Sequence, residues 1–364
     1  MAKKIFIAAT MQNDGKTTVS LGLIAALKKR FGRIGFIKPI GQRYLIEQGY
    51  KIDEDSVLVE EVFGIKCNIK DMSPVAIEKG FTERYIEKGA DEDYAKLILE
   101  SYEKIASEND LVIIEGTGHA GVGSVFNLSN ATVAKLLGAN MLLISSGGVG
   151  KPIDEISLNK ALIDREGVTL AGAIINKVHS QKYEKVKRIV KMGLEQKGIN
   201  LFGVLPYQKA LAVPTMREIN DELDIETLFH GESWDTPTEN ILIGAMNVKD
   251  ALSYVEPNTL MIIPGDRDDM IDAVCRIHLS KLKKGCRISG IILTGGLAPS
   301  RDSMTDLERS GIPTLVTEDD TYRIASKVHS INVKLKPQDK DKIKIIVDMI
   351  EEHIDIDAVV GSLR

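Results

Sequence analysis

The run Ala9-Thr10-Met11-Gln12-Asn13-Asp14-Gly15-Lys16-Thr17-Thr18 carries the clearest chemistry in the sequence. It follows a short apolar segment, Ile5–Ala9, and opens a segment of helical periodicity, so its Gly-Lys-Thr core stands at a strand–helix junction. A triphosphate needs that arrangement. Gly15 lets the backbone approach phosphate oxygens with no Cβ in the way. Successive backbone N–H groups, that of Asn13 among them, and the helix N-terminus supply partial positive charge. Lys16 can reach the β- and γ-phosphates, and the Thr17 hydroxyl can ligate Mg²⁺. The usual pattern opens with Gly five residues before Gly15, where this sequence has Thr10. The competing reading, a chance Gly-Lys-Thr at a helix start, does not explain the strand before it and the helix after it.

Two acids are candidates to complete a metal site. Asp110-Leu111-Val112-Ile113-Ile114-Glu115-Gly116 reads as a buried strand ending in a carboxylate, and Glu115 at the carboxyl end of a central strand would face the same crevice as the loop. Asp55, in Asp53-Glu54-Asp55-Ser56, fits a metal ligand and equally a helix cap.

These residues need a scaffold, and the chain supplies the pattern of one. Apolar runs at Ile5–Ala9, Ile34–Ile37, Leu111–Ile114, Met141–Ile144, Ala171–Ile175 and Leu201–Leu205 are continuous rather than alternating, as in a parallel sheet covered on both faces. Helical segments lie between them, the clearest starting at Thr17 with Val19, Leu23, Ala26 and Leu27 in register. The expectation is an α/β fold: a doubly wound, mainly parallel sheet over residues 1–228. Residues 229–239 contain the only Trp and lack any period, and are expected to be a linker. Strands at Ile241–Ala245, Leu260–Ile263, Ile291–Leu293 and Thr314–Val316, with helices at Asp268–Lys283 and Lys340–His353, suggest a smaller α/β domain over 240–364.

Composition narrows the function. The 364 residues carry 47 Lys and Arg against 52 Asp and Glu, a formal charge of −5, and 43% are hydrophobic. No basic excess exists to meet a nucleic acid, so none is expected as a partner. No apolar run approaches the roughly 18–20 residues of a spanning helix, so no membrane partner is expected either. Cys67, Cys275 and Cys286 are few and scattered, which suits neither a disulfide framework nor a zinc site. A cytoplasmic location is expected.

The first domain resembles the dethiobiotin synthetase branch of P-loop proteins. That branch shares a Gly-Thr-Asp-Thr-x-x-Gly-Lys-Thr loop, a Lys-Pro pair after the second strand and Glu-Gly after a hydrophobic strand. Here these are the loop already quoted, Lys38-Pro39-Ile40 and Glu115-Gly116-Thr117-Gly118, with Ile174-Ile175-Asn176-Lys177 and Gly203-Val204-Leu205-Pro206 similar to the base-recognition strand and the strand after it. Asp266-Arg267 and Thr294-Gly295-Gly296 resemble a DRTGG domain. In this order the two resemble the N-terminal regulatory portion of long bacterial phosphotransacetylases. The acetyl-transferring domain that follows in those proteins is not expected, as the sequence given stops at Arg364. The resemblance implies nucleotide phosphates on Gly15, Lys16, Thr17 and Thr18, Mg²⁺ among Thr17, Asp55 and Glu115, adenine near Asn176, and a substrate contact at Lys38. It implies homodimers and a partner enzyme of acetyl-phosphate metabolism. Asp266, Arg267, Thr294, Gly295 and Gly296 become a candidate second ligand site, although turn residues at strand ends have the same composition.

The loop departs from the synthetase pattern at Met11 and Gln12, which replace Asp and Thr on the substrate side. His119, in a loop after Glu115, fits an acid–base group or a plain polar residue. The preferred expectation is an ATP- and Mg²⁺-binding regulatory protein, with Lys16 and Lys38 as the residues to carry any chemistry. The alternative is an ATP-dependent enzyme that activates a carboxylate or carbamate. Amidation of the cobyrinate type is set aside, because Ala273-Val274-Cys275-Arg276 and Lys284-Gly285-Cys286-Arg287 lack the tight Gly-flanked turn of a glutaminase nucleophile.

Overall fold

The computed structural model describes residues 2–280, 287–331 and 333–364. Its contacts divide the chain into two units, residues 1–207 together with 335–364, and residues 208–334.

The first unit is built on six strands: β1 (Lys3–Ala9), β2 (Ile34–Ile37), β3 (Leu111–Glu115), β4 (Met141–Ser146), β5 (Leu170–Val178) and β6 (Leu201–Pro206). They lie in the order β6-β5-β4-β1-β3-β2, every neighbouring pair parallel. The expected strands are all present. Ile5 to Ala9 and Leu111 to Glu115 are fully enclosed, as continuous apolar runs require when helices cover both faces. Four helices matter for the site: α1 (Lys16–Leu27), α2 (Glu54–Phe63), α3 (Gly150–Arg165) and α4 (Lys340–His353). A hairpin, Tyr44–Glu47 with Tyr50–Asp53, turns through Gln48 and Gly49, both at positive φ, and delivers its last residue to the start of α2.

Helix α4 corrects the expected domain division. Its position in the chain suggests the second domain, yet it packs on α1 and on β6 in the first unit. The approach is close because Gly22 has no side chain: a Cβ there would lie 2.2 Å from Ile350 Cγ1 and 3.3 Å from Ile346 Cγ2. Beyond α4, Ile354 bridges to Gly203 of β6, and Arg364 exchanges backbone hydrogen bonds with Lys4 of β1.

The second unit has a five-stranded sheet of β7 (Glu226–Phe229), β8 (Asn240–Ile243), β9 (Thr259–Pro264), β10 (Ile288–Thr294) and β11 (Thr314–Val316), in the order β7-β11-β10-β9-β8. Only β7 runs antiparallel. The segment 229–239 is no linker. Trp234 is buried with Met216, Leu260, Ile262, Ile292 and Leu315, and Arg217 pairs with Asp235 at 2.6 Å. Such irregular backbone has no period to read, and its aromatic side chain settles its place. The expected helix Asp268–Lys283 is observed over Asp268–Leu279; its end, and Cys286, lie outside the described residues.

Overfilling the α1–α4 contact should unseat α4. Gly22→Leu keeps good helix propensity but adds four carbons where none fit, and is expected to lower stability by about 2 kcal/mol. Urea denaturation of the full chain measures it.

Candidate functional site

The phosphate loop leaves β1 at Ala9 and enters α1 at Lys16. Asn13 (φ 65°) and Gly15 (φ 93°) adopt the left-handed conformation that turns it. Gly15 is required twice over, since a Cβ would lie 2.2 Å from Asn176 Nδ2 as well as suffer the positive φ. The loop is held from below. Asn176 Nδ2 donates to the Asp14 carbonyl at 2.9 Å, and Lys177 Nζ donates to the Asn13 carbonyl at 2.6 Å. The Asp14 carboxylate accepts the Met11 N–H at 2.8 Å and lies 2.9 Å from Thr10 Oγ1. Thr10 Oγ1 is also 2.8 Å from Ser145 Oγ and 2.9 Å from Glu155 Oε2 on α3. The Thr that stands where glycine is usual is therefore the loop's tie to β4 and α3. No local pattern points to Ser145 and Glu155, which are more than 130 residues away from Thr10.

On the other side, Thr17 Oγ1 lies 3.2 Å from both Asp55 Oδ1 and Glu115 Oε1. Three residues of the expected metal set are thus together. The question whether Asp55 is a cap is answered by its neighbour. Asp53 caps α2, accepting the Asp55 N–H at 3.0 Å, and leaves the Asp55 side chain to the site. Lys38 joins them. Its ammonium touches Asp55 and lies 3.2 Å from Asp53 Oδ1 and 3.5 Å from Glu115 Oε1, in a pocket that leaves the residue 7% exposed. Asp53 was not anticipated as a member, because its capping position concealed it. Thr18 follows in the first turn of α1, half-buried.

The electrostatics follow from burial. Burial alone would lower Lys38, but Asp55, Asp53 and Glu115 outweigh it and hold the ammonium well above the ordinary lysine range. Burial would raise Asp55, and the Lys38 charge reverses this and holds it below the usual carboxylate range. For Asp53 burial prevails and pushes it up, while Lys16 is lowered by burial. Glu115 is pushed up to about 7 by burial and then by the Asp55 charge.

Among the described residues, only two buried side-chain atoms make no hydrogen bond, Glu115 Oε2 and Ser20 Oγ. No three His, Cys, Asp or Glu are spaced to hold a metal by themselves among the described residues. Mg²⁺ does not ask for that, since it is commonly held by one or two carboxylates with phosphate and water completing its shell. Two carboxylates, one of them with an unsatisfied buried oxygen, and a hydroxyl fit it.

The remaining candidates sit elsewhere. The Asn176 amide is engaged on the loop, its Oδ1 accepting the Lys177 N–H at 2.8 Å. His119 is exposed and its Nδ1 accepts the Gly121 N–H at 3.1 Å, which is a turn contact. In the second unit, Asp266, Arg267, Thr294, Gly295 and Gly296 gather where β9 and β10 end, and Gly265 N–H donates to the Thr294 carbonyl. Arg267 binds Asp269 and the Gly244 and Met246 carbonyls, Thr294 shares a 2.8 Å hydrogen bond with Thr321, and Gly295 and Gly296 donate to the Asp319 and Thr317 carbonyls. Four of those five residues, all but Asp266, thus bond to neighbouring loops and strand ends.

The raised Glu115 has a consequence for metal-free protein. An unfolded Glu titrates near 4.3. Between that value and about 7 the folded state keeps a proton that the unfolded state has lost, so this residue makes stability fall as pH rises across that window. Lys38, Asp55 and Lys16 face it and enter that balance. Glu115→Gln, neutral throughout, should gain on the parent between pH 5 and pH 8, by on the order of 1–3 kcal/mol. Chemical denaturation in the presence of a chelator checks this; an unchanged difference would refute it.

The AAA domain family AAA_26 matches residues 3–215, and the DRTGG domain family matches residues 218–331. The phosphate acetyltransferase of Nitratidesulfovibrio vulgaris is 28% identical over 364 residues, covering 98% of this chain and 51% of that protein. That of Synechocystis is 26% identical over 371 residues, covering 100% and 52%. The chain spans about half the length of these curated relatives. Among solved structures, the MinC:MinD cell division complex of Aquifex aeolicus is 14% identical, with a TM-score of 0.38 over 58% of this chain and 84% of that one, a likeness too slight to carry an argument. With the first match covering more than half of its residues, the chain belongs to the AAA_26 family of P-loop domains and carries a DRTGG domain behind it.

Proposed function

We propose that the first unit binds ATP with Mg²⁺ and that the chain serves as a nucleotide-responsive regulatory protein. The observation that carries this is Thr17 Oγ1 set between Asp55 and Glu115 at the start of α1, beside an unsatisfied Glu115 Oε2. Lys16 and the backbone N–H groups from Asn13 to Thr18 would balance the triphosphate. Thr17, Asp55 and Glu115 would hold the metal, whose charge supplies neutralisation at the phosphate oxygens. The likeness along the whole chain to phosphate acetyltransferases supports a setting in acetyl-phosphate metabolism, with the DRTGG domain as the regulatory or association module. A cytoplasmic homodimer is part of the proposal, cyclic two-fold dimers being the commonest assembly. No helix among the described residues is long and apolar enough to cross a membrane.

The ligase alternative loses support at the loop, where Met11 stands half-exposed with no charge to offer a diamine.

Two measurements test the proposal. Lys16→Ala should fold as the parent does and lose ATP affinity by about a hundredfold or more, since more than one charge-assisted hydrogen bond goes with it. Calorimetry with Mg²⁺ reads this, and unchanged affinity would refute the site. Protein incubated with ATP, bicarbonate and 7,8-diaminopelargonate should form no cyclic urea. Turnover near 1 s⁻¹ would favour the ligase instead.

A further inference from the structure

Lys38 occupies the place where a cation is wanted. Its ammonium has three N–H donors and no acceptor, and it is surrounded by three carboxyl groups, those of Asp53, Asp55 and Glu115. Two of the three, Asp55 and Glu115, are also the groups that flank the Thr17 hydroxyl at 3.2 Å. Glu115 Oε1 faces both groups, while Asp55 turns Oδ1 to Thr17 and Oδ2 to Lys38, so the carboxylates that would receive a divalent ion already serve a positive charge that belongs to the chain. A metal ion and this ammonium compete for Asp55 and Glu115, because two cations within a few ångströms repel strongly in a buried site. Glu115 Oε2 makes no hydrogen bond although the residue is fully enclosed, so Lys38 leaves the cluster only partly satisfied.

Asp53 has a different standing. It is 3% exposed, it makes no hydrogen bond to Thr17, and its position is fixed from two sides. Its carboxylate caps α2 through the Asp55 N–H, and its own N–H donates to Ser73 Oγ at 2.9 Å. It can keep one hydrogen bond to Lys38 when the other two acids are taken.

The geometry points to Lys38 as a tethered counter-ion that Mg²⁺ must displace. Without nucleotide, the ammonium holds the acid cluster together and opposes the entry of a bare cation. When metal enters with its nucleotide, Lys38 gives up Asp55 and Glu115 and retains Asp53. Lys38 is here a positioning residue, and the site accepts metal with nucleotide in preference to metal alone. The inference rests on the Mg²⁺ site proposed above.

The test uses the full chain and Mn²⁺ as a paramagnetic probe, titrated by electron paramagnetic resonance. With no nucleotide present, Lys38→Met is expected to bind Mn²⁺ at least tenfold more tightly than the parent. Its melting temperature should drop in chelator and recover when Mg²⁺ is added. If Lys38→Met does not fold without metal, the pair Asp53→Asn with Lys38→Met removes one unbalanced charge, and is expected to bind Mn²⁺ more tightly than Asp53→Asn alone. Equal or weaker Mn²⁺ binding on loss of Lys38, in protein whose Mn²⁺–ATP binding is abolished by Glu115→Gln, overturns the exchange and leaves the metal site standing. Mn²⁺–ATP binding indifferent to Glu115→Gln removes the metal site and the exchange together.

Discussion

Burying the Lys38 ammonium is tolerable only because carboxyl groups reach it from three separate elements. An isolated charge taken out of water costs several kcal/mol even after the protein relaxes, and good geometry with full hydrogen bonding is what offsets this. Asp53 comes from the end of a hairpin, Asp55 from the first turn of α2 and Glu115 from the end of β3. The hairpin register, the cap of α2 and the alignment of β2 with β3 are all constrained by one nitrogen atom. The phosphate loop is joined to the same cluster through the Thr17 hydroxyl, so the geometry of the loop and that of the acids are set together.

The loop itself is shaped by a second constraint. A left-handed Gly15 pressed against Asn176 fixes how closely the backbone can pass over β5, and Thr10 fixes where the turn begins. Glycine at position 10 would leave the Ser145 and Glu155 side chains bonded to each other at 3.1 Å, and Glu155 to Lys151, without the hydroxyl that joins them to the loop. A residue that departs from the expected pattern is thus accounted for by the polar groups beneath it.

How much of this could be read in the residues depended on whether the information was local. The loop is ten consecutive residues, and Glu115 closes an unbroken apolar run, so both were legible from their immediate neighbours. The pair Asp53 and Asp55 was legible as acids at a helix start, but which one caps and which one points into the site depends on a backbone turn. Ser145 and Glu155 meet Thr10 only through the sheet order, which no short pattern records. The aperiodic stretch around Trp234 suggested a connection between domains because lack of period was the only local cue, whereas burial of one indole decided the matter. Lys340–His353 was rightly seen as a helix; its partner was not visible, because Gly22 lies more than 300 residues before it.

That last contact has a temporal meaning. The second unit is nested within the first, whose polypeptide departs after residue 207 and returns at residue 335. A ribosome makes the cover of α1 only after the second unit. At the usual rate of about 5–20 residues per second, α1 waits on the order of tens of seconds with one flank bare while the whole second unit emerges. Throughout that interval the nascent protein shows a glycine-notched apolar surface that the folded unit hides.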